Sequence, residues 1–191
     1  MSKKSIVAVL NTSPETVIDD YARLLDLARI QDTLNKTKTT FLKVNVSWQH
    51  YYPACSSAPW QIEGVGKKLI SEGFSDIISA HNGTVVVDPR EGREKNKHSK
   101  AENRLGIDHL ILDEPPVKWI TFSPKSKMLV LDKVYPEGLF IPEIFIGTNI
   151  IHLPTVKTHV FTKMTGAMKN AFGGLLHRNR HWTHSVIHET L

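Results

Sequence analysis

Apolar positions along the chain change period several times, and each change marks an element. Ile6-Val7-Ala8-Val9-Leu10 is a continuous run of strand length. Ser13-Pro14-Glu15 then supplies an N-cap, a first-turn proline and an early acid, which predicts a helix. In it Val17, Ile18, Tyr21, Leu24, Leu25, Ala28 and Ile30 follow the i, i+3, i+4, i+7 spacing of one buried stripe, ending near Asp32. Thr39 to Val46 reads as a second strand, rich in Thr, Phe, Leu and Val, and leads into a polar, aromatic loop from Ser47 to Ser57. Helical period returns at Trp60, Ile62, Val65, Leu69 and Ile70 and stops at Gly73. A third strand over Asp76 to Ala80 follows at once.

Strand, helix, strand, helix, strand with short links predicts an α/β fold with a mostly parallel, Rossmann-like open sheet and crossover helices. Further strands are expected at Thr84–Val87, Val117–Phe122, Met128–Val134 and Asn149–Leu153. Arg90 to Arg104, with nine charges in fifteen residues, reads as a solvated loop or exposed helix. Trp182 to Leu191 places Val186, Ile187 and Leu191 at helical spacing and stops without a cap. An apolar helix face needs cover, so the expectation is one α/β domain over residues 1–191 that is a fragment of a longer one.

Composition narrows the class. A chain of 191 residues with 40% hydrophobic and 23% charged residues is long enough for one core. It has no apolar run approaching the length of a membrane span. Lys3 and Lys4 precede only five apolar residues before the polar Asn11-Thr12-Ser13, too few for a secretory h-region, so no secretory leader is expected. With a single cysteine, Cys55, the chain can form no internal disulfide and carries too few thiolates for an iron–sulfur cluster of its own. The expected compartment is the cytoplasm, with no membrane partner.

The net charge of +5 is localised. Ile144 to His188 contains no Asp or Glu, while Lys157, Lys163, Lys169, Arg178 and Arg180 give five positive charges, so the remaining 146 residues sum to zero. Six of the ten histidines share that segment. Such a surface concentrates carboxylates, phosphates or polynucleotides.

Two constellations there and upstream carry candidate chemistry. Leu153-Pro154-Thr155-Val156-Lys157-Thr158-His159 is followed by Thr165-Gly166-Ala167-Met168-Lys169-Asn170-Ala171-Phe172-Gly173-Gly174. Ligands of open α/β sheets sit beyond the strands' carboxyl ends, and a helix starting at Thr165-Gly166 would offer free N–H groups to an anion beside Lys157, Lys163 and Lys169. Neither a Walker A loop nor a Gly-x-Gly-x-x-Gly fingerprint occurs. Upstream, Lys43 and Asn45 alternate onto one side of a strand, and Ser56 or Ser57 could cap the next helix or contact a ligand. Cys55 has no identified base and reads as inert rather than nucleophilic. His177, His181, His184 and His188, in steps of 4, 3 and 4, would align on one face of a single helix. A metal could bind such a face, but Gly173-Gly174 and Asn179 argue against an unbroken helix there, and a surface or anion-contacting role is expected instead, with no metal assigned.

Lys43-x-Asn45 with Ser56-Ser57-Ala58-Pro59, then Leu153-Pro154-x-x-Lys157-Thr158-His159, then Thr165-Gly166-Ala167-Met168-Lys169-Asn170-x-x-Gly173 resemble the signature blocks of the domain of unknown function 362 family. The resemblance spans about residues 6 to 188. It implies an α/β domain that often accompanies ferredoxin-type cluster segments, and a polar pocket built from Lys43, Asn45, Ser56, Ser57, Lys157, Thr158, Thr165, Gly166, Lys169, Asn170 and Gly173. His184 resembles a histidine that follows the last block in the family. With the family's activity and cofactor open, three readings stand. One is an anion-binding domain or enzyme with His159 or His184 as acid–base group. Another is a nucleic-acid module using Lys157 to Arg180 with Phe161, Phe172 and Trp182 for stacking. The last is a scaffold for a ferredoxin-type partner whose cluster lies outside this chain.

Overall fold

The computed structural model describes residues 5–191, with only the backbone of Leu175; Lys3 and Lys4, used in the leader argument, lie outside it. In chain order the elements are α1 (Val17–Leu27), β1 (Thr40–Val44), α2 (Pro59–Ser71), β2 (Ile77–His81), α3 (Pro89–Lys95), α4 (His98–Leu105) and β3 (Asp108–Ile111). They continue with β4 (Trp119–Phe122), α5 (Leu131–Val134), β5 (Leu139–Pro142), β6 (Asn149–Leu153), β7 (Lys157–His159), β8 (Lys163–Thr165), α6 (Ala167–Leu175) and α7 (Ile187–Thr190). Short 3-10 turns occupy Ile30–Asp32, Glu143–Phe145 and Arg180–Val186.

The α/β expectation holds. β3, β2, β1 and β6 form one four-stranded parallel sheet in that spatial order. From the central β1 the chain crosses to β2 on one side, whereas β6 returns to its other side. The β1/β6 boundary is therefore the sheet's topological switch point, the place where open α/β sheets form a crevice. Two antiparallel hairpins, β4–β5 and β7–β8, lie outside this sheet.

Side-chain alternation along β1 splits the core into two layers. Leu42 and Val44 face α2 and α4, packing with Ile62, Val65, Leu69 and Ala101, and Tyr21 and Leu25 of α1 cover that layer. Phe41 points the other way into a cluster with Ala80, Leu112, Val117 and Phe145. The α1–α2 contact is backbone-close at Gly64, where a Cβ would come within 2.7 Å of Tyr21 Cβ and 2.9 Å of Ile18 O. A third cluster of Leu131, Tyr135 and Leu139 packs against Phe172 of α6. Together these layers hold the carboxyl ends of β1 and β6 rigidly beneath α6.

Several elements differ from the sequence expectation. Residues 6–10 pair with no strand among the described residues, and Ile6, Val7 and Val9 are exposed; strand propensity needs a half-buried surface to act on, and none is supplied here. The first helix begins at Val17, a turn later than Pro14, after the Thr16 N–H bonds Ser13 O at 3.2 Å. Thr84–Val87 is a single antiparallel bridge, and Met128–Val134 is a turn entering α5 instead of a strand. The charged stretch Arg90–Arg104 is not simply solvated. α4 buries His98, Ser99, Ala101 and Glu102, with Arg93 Nε bonding Glu102 Oε2 at 2.7 Å. The final ten residues form a 3-10 segment and one short helical turn, with Ile187 buried. No helix among the described residues is long and apolar enough to cross a membrane.

Candidate functional site

A cleft of about 860 Å³ lies over the switch point. Its walls come from the carboxyl ends of all four parallel strands, through Lys43 and Val44 at the end of β1 and Asn45 after it, Asn82 after β2, Asp113 after β3, and Pro154 and Thr155 after β6. The β7–β8 hairpin, the first turns of α6 and the Arg178–His184 segment complete it. Lys43, Lys157 and Lys169, 126 positions apart at the extremes of the sequence, line this one cavity together with Arg178 and Arg180. Asp113 is the one carboxylate among the described lining residues. It is already committed to the Arg180 guanidinium, at 3.3 Å to Oδ1 and 3.4 Å to Oδ2.

Each cation is held differently. Lys43 is 3% exposed, because its aliphatic stem runs under α6 against Gly174, whose hypothetical Cβ would overlap Lys43 Cε and approach Cδ to 3.0 Å. Only glycine leaves that path open. Lys43 Nζ donates to Val44 O at 3.0 Å and to Asn170 Oδ1 at 3.5 Å. Asn170 is oriented for this by its own Nδ2, which donates to Lys43 O at 2.8 Å. Burial, followed by the Arg180 charge, pulls the Lys43 ammonium down to about 7, with Asp113 opposing weakly. Lys157 Nζ donates to Ser47 Oγ and Cys55 O, which uses two of its three N–H groups. Burial lowers its pKa. Lys169, in the first turn of α6, is half-buried and has no hydrogen-bond partner among the described residues; burial lowers its pKa, as do Lys157 and Arg180.

His159 accepts the Phe161 N–H on Nδ1 at 3.1 Å. Its proton therefore resides on Nε2, leaving the ring a donor with no spare lone pair while neutral. Burial lowers its pKa, helped by Lys169, His184 and Lys157. His184 stacks on Phe161 at 4.5 Å between centroids and is lowered by burial and by Lys169. Burial first, and the neighbouring charges second, thus lower both rings in the same direction, towards the neutral form.

The sequence candidates divide. Lys43, Asn45, Lys157, His159, Thr165, Gly166, Lys169, Asn170, Gly173 and His184 all line the cleft. Ser56, Ser57 and Thr158 are not among its described lining residues. Ser57 Oγ accepts the Asn45 N–H at 2.9 Å and donates to Leu153 O, and Ser56 Oγ accepts the Ser47 N–H at 3.1 Å. The two serines therefore clamp the β1 and β6 exits together, and neither caps α2, whose N-cap Ala58 has no side-chain bond. Thr158 sits on β7 with its side exposed. The four C-terminal histidines share no helix, since His177 takes a left-handed φ of 37°. His177 stacks on Tyr135 at 4.2 Å and meets Glu137 at 2.9 Å, His181 and His184 line the cleft, and His188 is exposed. No group of three or more His, Cys, Asp or Glu that could hold a metal occurs among the described residues.

Three lining residues were not among the sequence candidates: Ser47, which gathers Asn45 Nδ2 and Lys157 Nζ on one oxygen, Asn82 and Asp113; Arg180 had entered only as one charge of the basic stretch. Asn82 is 8% exposed, and both its amide atoms lack a partner among the described residues. The position of Asn82 directly after β2, and of Asp113 shortly after β3, is the signal that could have found them.

Neither a curated protein nor a solved structure matches the chain. A family model does match, that of the domain of unknown function (DUF362), over residues 40–191. The matched span begins at the first residue of β1 and contains every cleft-lining residue named above. This protein is a member of that family.

Proposed function

We propose that the cleft binds a small molecule bearing carboxylate or phosphate groups, as a substrate-binding site of a cytoplasmic enzyme. The observation that carries this reading is the charge imbalance of the lining, five ammonium or guanidinium groups against one carboxylate that already has a partner. Lys157 and Lys169 are half-buried cations with no carboxylate partner among the described residues, which is costly, and a bound anion would neutralise them. The N-terminus of α6, entered through Gly166, adds unpaired N–H groups on the same side. Lys43, Lys157 and Lys169 would hold the anion, Asn45, Thr165 and Asn170 would fix the walls around it, and neutral His159 would donate a hydrogen bond from Nε2.

The charges face a cavity, which favours a small ligand over the nucleic-acid reading, for which a groove tracking a backbone would be needed. The family's association with ferredoxin-type segments would, for this chain, require thiolates from outside it, since Cys55 is its single cysteine.

Calorimetric titration with pyrophosphate tests the reading. Saturable binding at one site per chain is expected, weakened about tenfold by Lys157→Met and by Lys169→Met, as for loss of one charged hydrogen bond. Binding that is absent, or unchanged in the two variants, contradicts it. Gly174→Ala is expected to separate fold from site. The added methyl gains about 1 kcal/mol of helix propensity but displaces Lys43 Cε, so the urea midpoint should stay near wild type while pyrophosphate affinity drops several-fold. A variant that binds normally would mean that the Lys43 path tolerates the methyl.

A further inference from the structure

Lys43 is placed as a nucleophile would be placed, in the lining of the cleft and with no carboxylate bonded to it among the described residues. A charged ammonium has three N–H groups, but the described surroundings of Nζ offer two acceptors, Val44 O at 3.0 Å and Asn170 Oδ1 at 3.5 Å. A neutral amine has two N–H groups and one lone pair. The two acceptors match the neutral form and leave its lone pair without a partner. Two further features of the site favour that form. Arg180 and Lys169 stand in the same lining as competing positive charges, and Asp113, the one acid among the described lining residues, is engaged by Arg180. Burial against Gly174 removes the water that would otherwise solvate a charge. Desolvation beside other cations is a recognised way of activating a lysine amine.

We propose that Lys43 forms an imine with the carbonyl carbon of an anionic aldehyde or 2-oxo acid whose charge is held by Lys157 and Lys169. This rests on the anion-binding reading above. The Nζ lone pair attacks the carbonyl carbon, a C–N bond forms, and the π pair moves to oxygen. The nitrogen gives up its two protons, the oxygen leaves as water, and a C=N bond joins Lys43 to the substrate. No oxidant or further reactant is consumed. The two protons released by the nitrogen are the two that the departing oxygen takes up as water, and His159 Nε2–H stands in the lining as a hydrogen-bond donor to that oxygen.

Reductive trapping tests this on the full chain. Cyanoborohydride adds hydride to the imine carbon and leaves a stable secondary amine that peptide mass spectrometry locates. Glyoxylate probes the carboxylate class and glycolaldehyde phosphate the phosphate class; the anion that labels more efficiently identifies the source. With at least one of them, Lys43 is expected to be modified about tenfold faster than any other lysine at neutral pH, because an ordinary lysine holds only a trace of free amine there. Pyrophosphate should protect it. Lys43→Arg keeps a cation and should abolish the adduct. Should that variant not fold, protection of Lys43 in the wild-type chain decides instead. Labelling spread over surface lysines, or led by Lys157 or Lys169, overturns the proposal. Pyrophosphate binding without Lys43 labelling overturns the imine and spares the anion site, whereas loss of pyrophosphate binding removes both.

Discussion

Lys43→Met should yield a protein that is more stable than the wild type and poorer at binding anions. The amine is 3% exposed and its pKa falls from 10.5 in the free side chain to about 7. The unfolded chain therefore binds a proton more tightly than the folded one, and the folded state is destabilised at and below pH 7. That difference amounts to about 4 kcal/mol at neutral pH. Met fills nearly the same volume without a charge, so recovery of roughly 2 to 3 kcal/mol is expected, a rise in melting temperature on the order of 5 to 10 °C for a chain of this size. Wild-type stability should also climb as pH rises from about 7 towards 10.5, through the window between the folded and unfolded values, at up to about 1.4 kcal/mol per unit, and the variant should lose that slope. Thermal unfolding at two pH values measures both. A variant less stable than wild type would mean that Lys43 is a structural residue, with its bonds to Val44 and Asn170 worth more than its desolvation costs.

Acid should destabilise the protein well above the range in which carboxylates titrate. His81 donates from Nε2 to Pro89 O at 3.2 Å and has a buried, unpartnered Nδ1; His98 repeats the arrangement with Ser57 O at 2.6 Å. Burial pushes His81 down to about 3, aided by Lys43, His98 and His109, and lowers His98 as well. These rings stay neutral in the folded state, whereas the unfolded chain protonates them below about 6.5. Their contribution is complete above that pH and is lost as pH falls towards the folded value. His81 alone accounts for about 2 kcal/mol at pH 5, and His98 adds a loss of the same sign. Urea midpoints at about pH 7.5 and 5 should differ accordingly, and His81→Gln should flatten the difference. A flat profile in the wild type would show that the rings take up protons without unfolding.

The same residues show why some of the molecule was legible in sequence. β1, α2, β2 and β6 were readable because each is a dense apolar run of one period that ends up buried on both sides or along one stripe. β3 is four residues beginning with Asp108 and His109 at the sheet edge, too short and polar for any period. Ile6–Leu10 had the composition of a strand and lacks a partner among the described residues, so propensity was right about the side chains and wrong about the context. The helix α4 hid its burial because Glu102 and His98 are polar residues satisfied, in part, by Arg93 and Ser57.

At the site, Lys43, Lys157 and Lys169 were readable because they end an apolar strand, follow one or open a helix, where an α/β sheet presents its ligand. The serines were misplaced because a hydroxyl before a helix looks the same whether it caps the helix, touches a ligand or clamps two strand exits. Asn82 and Asp113 are single polar residues after strands, and only the spatial order β3-β2-β1-β6 brings them to the same cavity. Histidines spaced for one helix face were separated by the left-handed turn at His177.

The central claim is that an anion enters the cleft over the β1/β6 switch point, and amide chemical-shift mapping during a pyrophosphate titration tests it most directly. Saturating shifts should cluster on Lys43–Ser47, Asn82–Val86, Thr165–Asn170 and Arg178–His184. Shifts centred on the exposed charges of α3 and α4, or a uniform drift that never saturates, would contradict it.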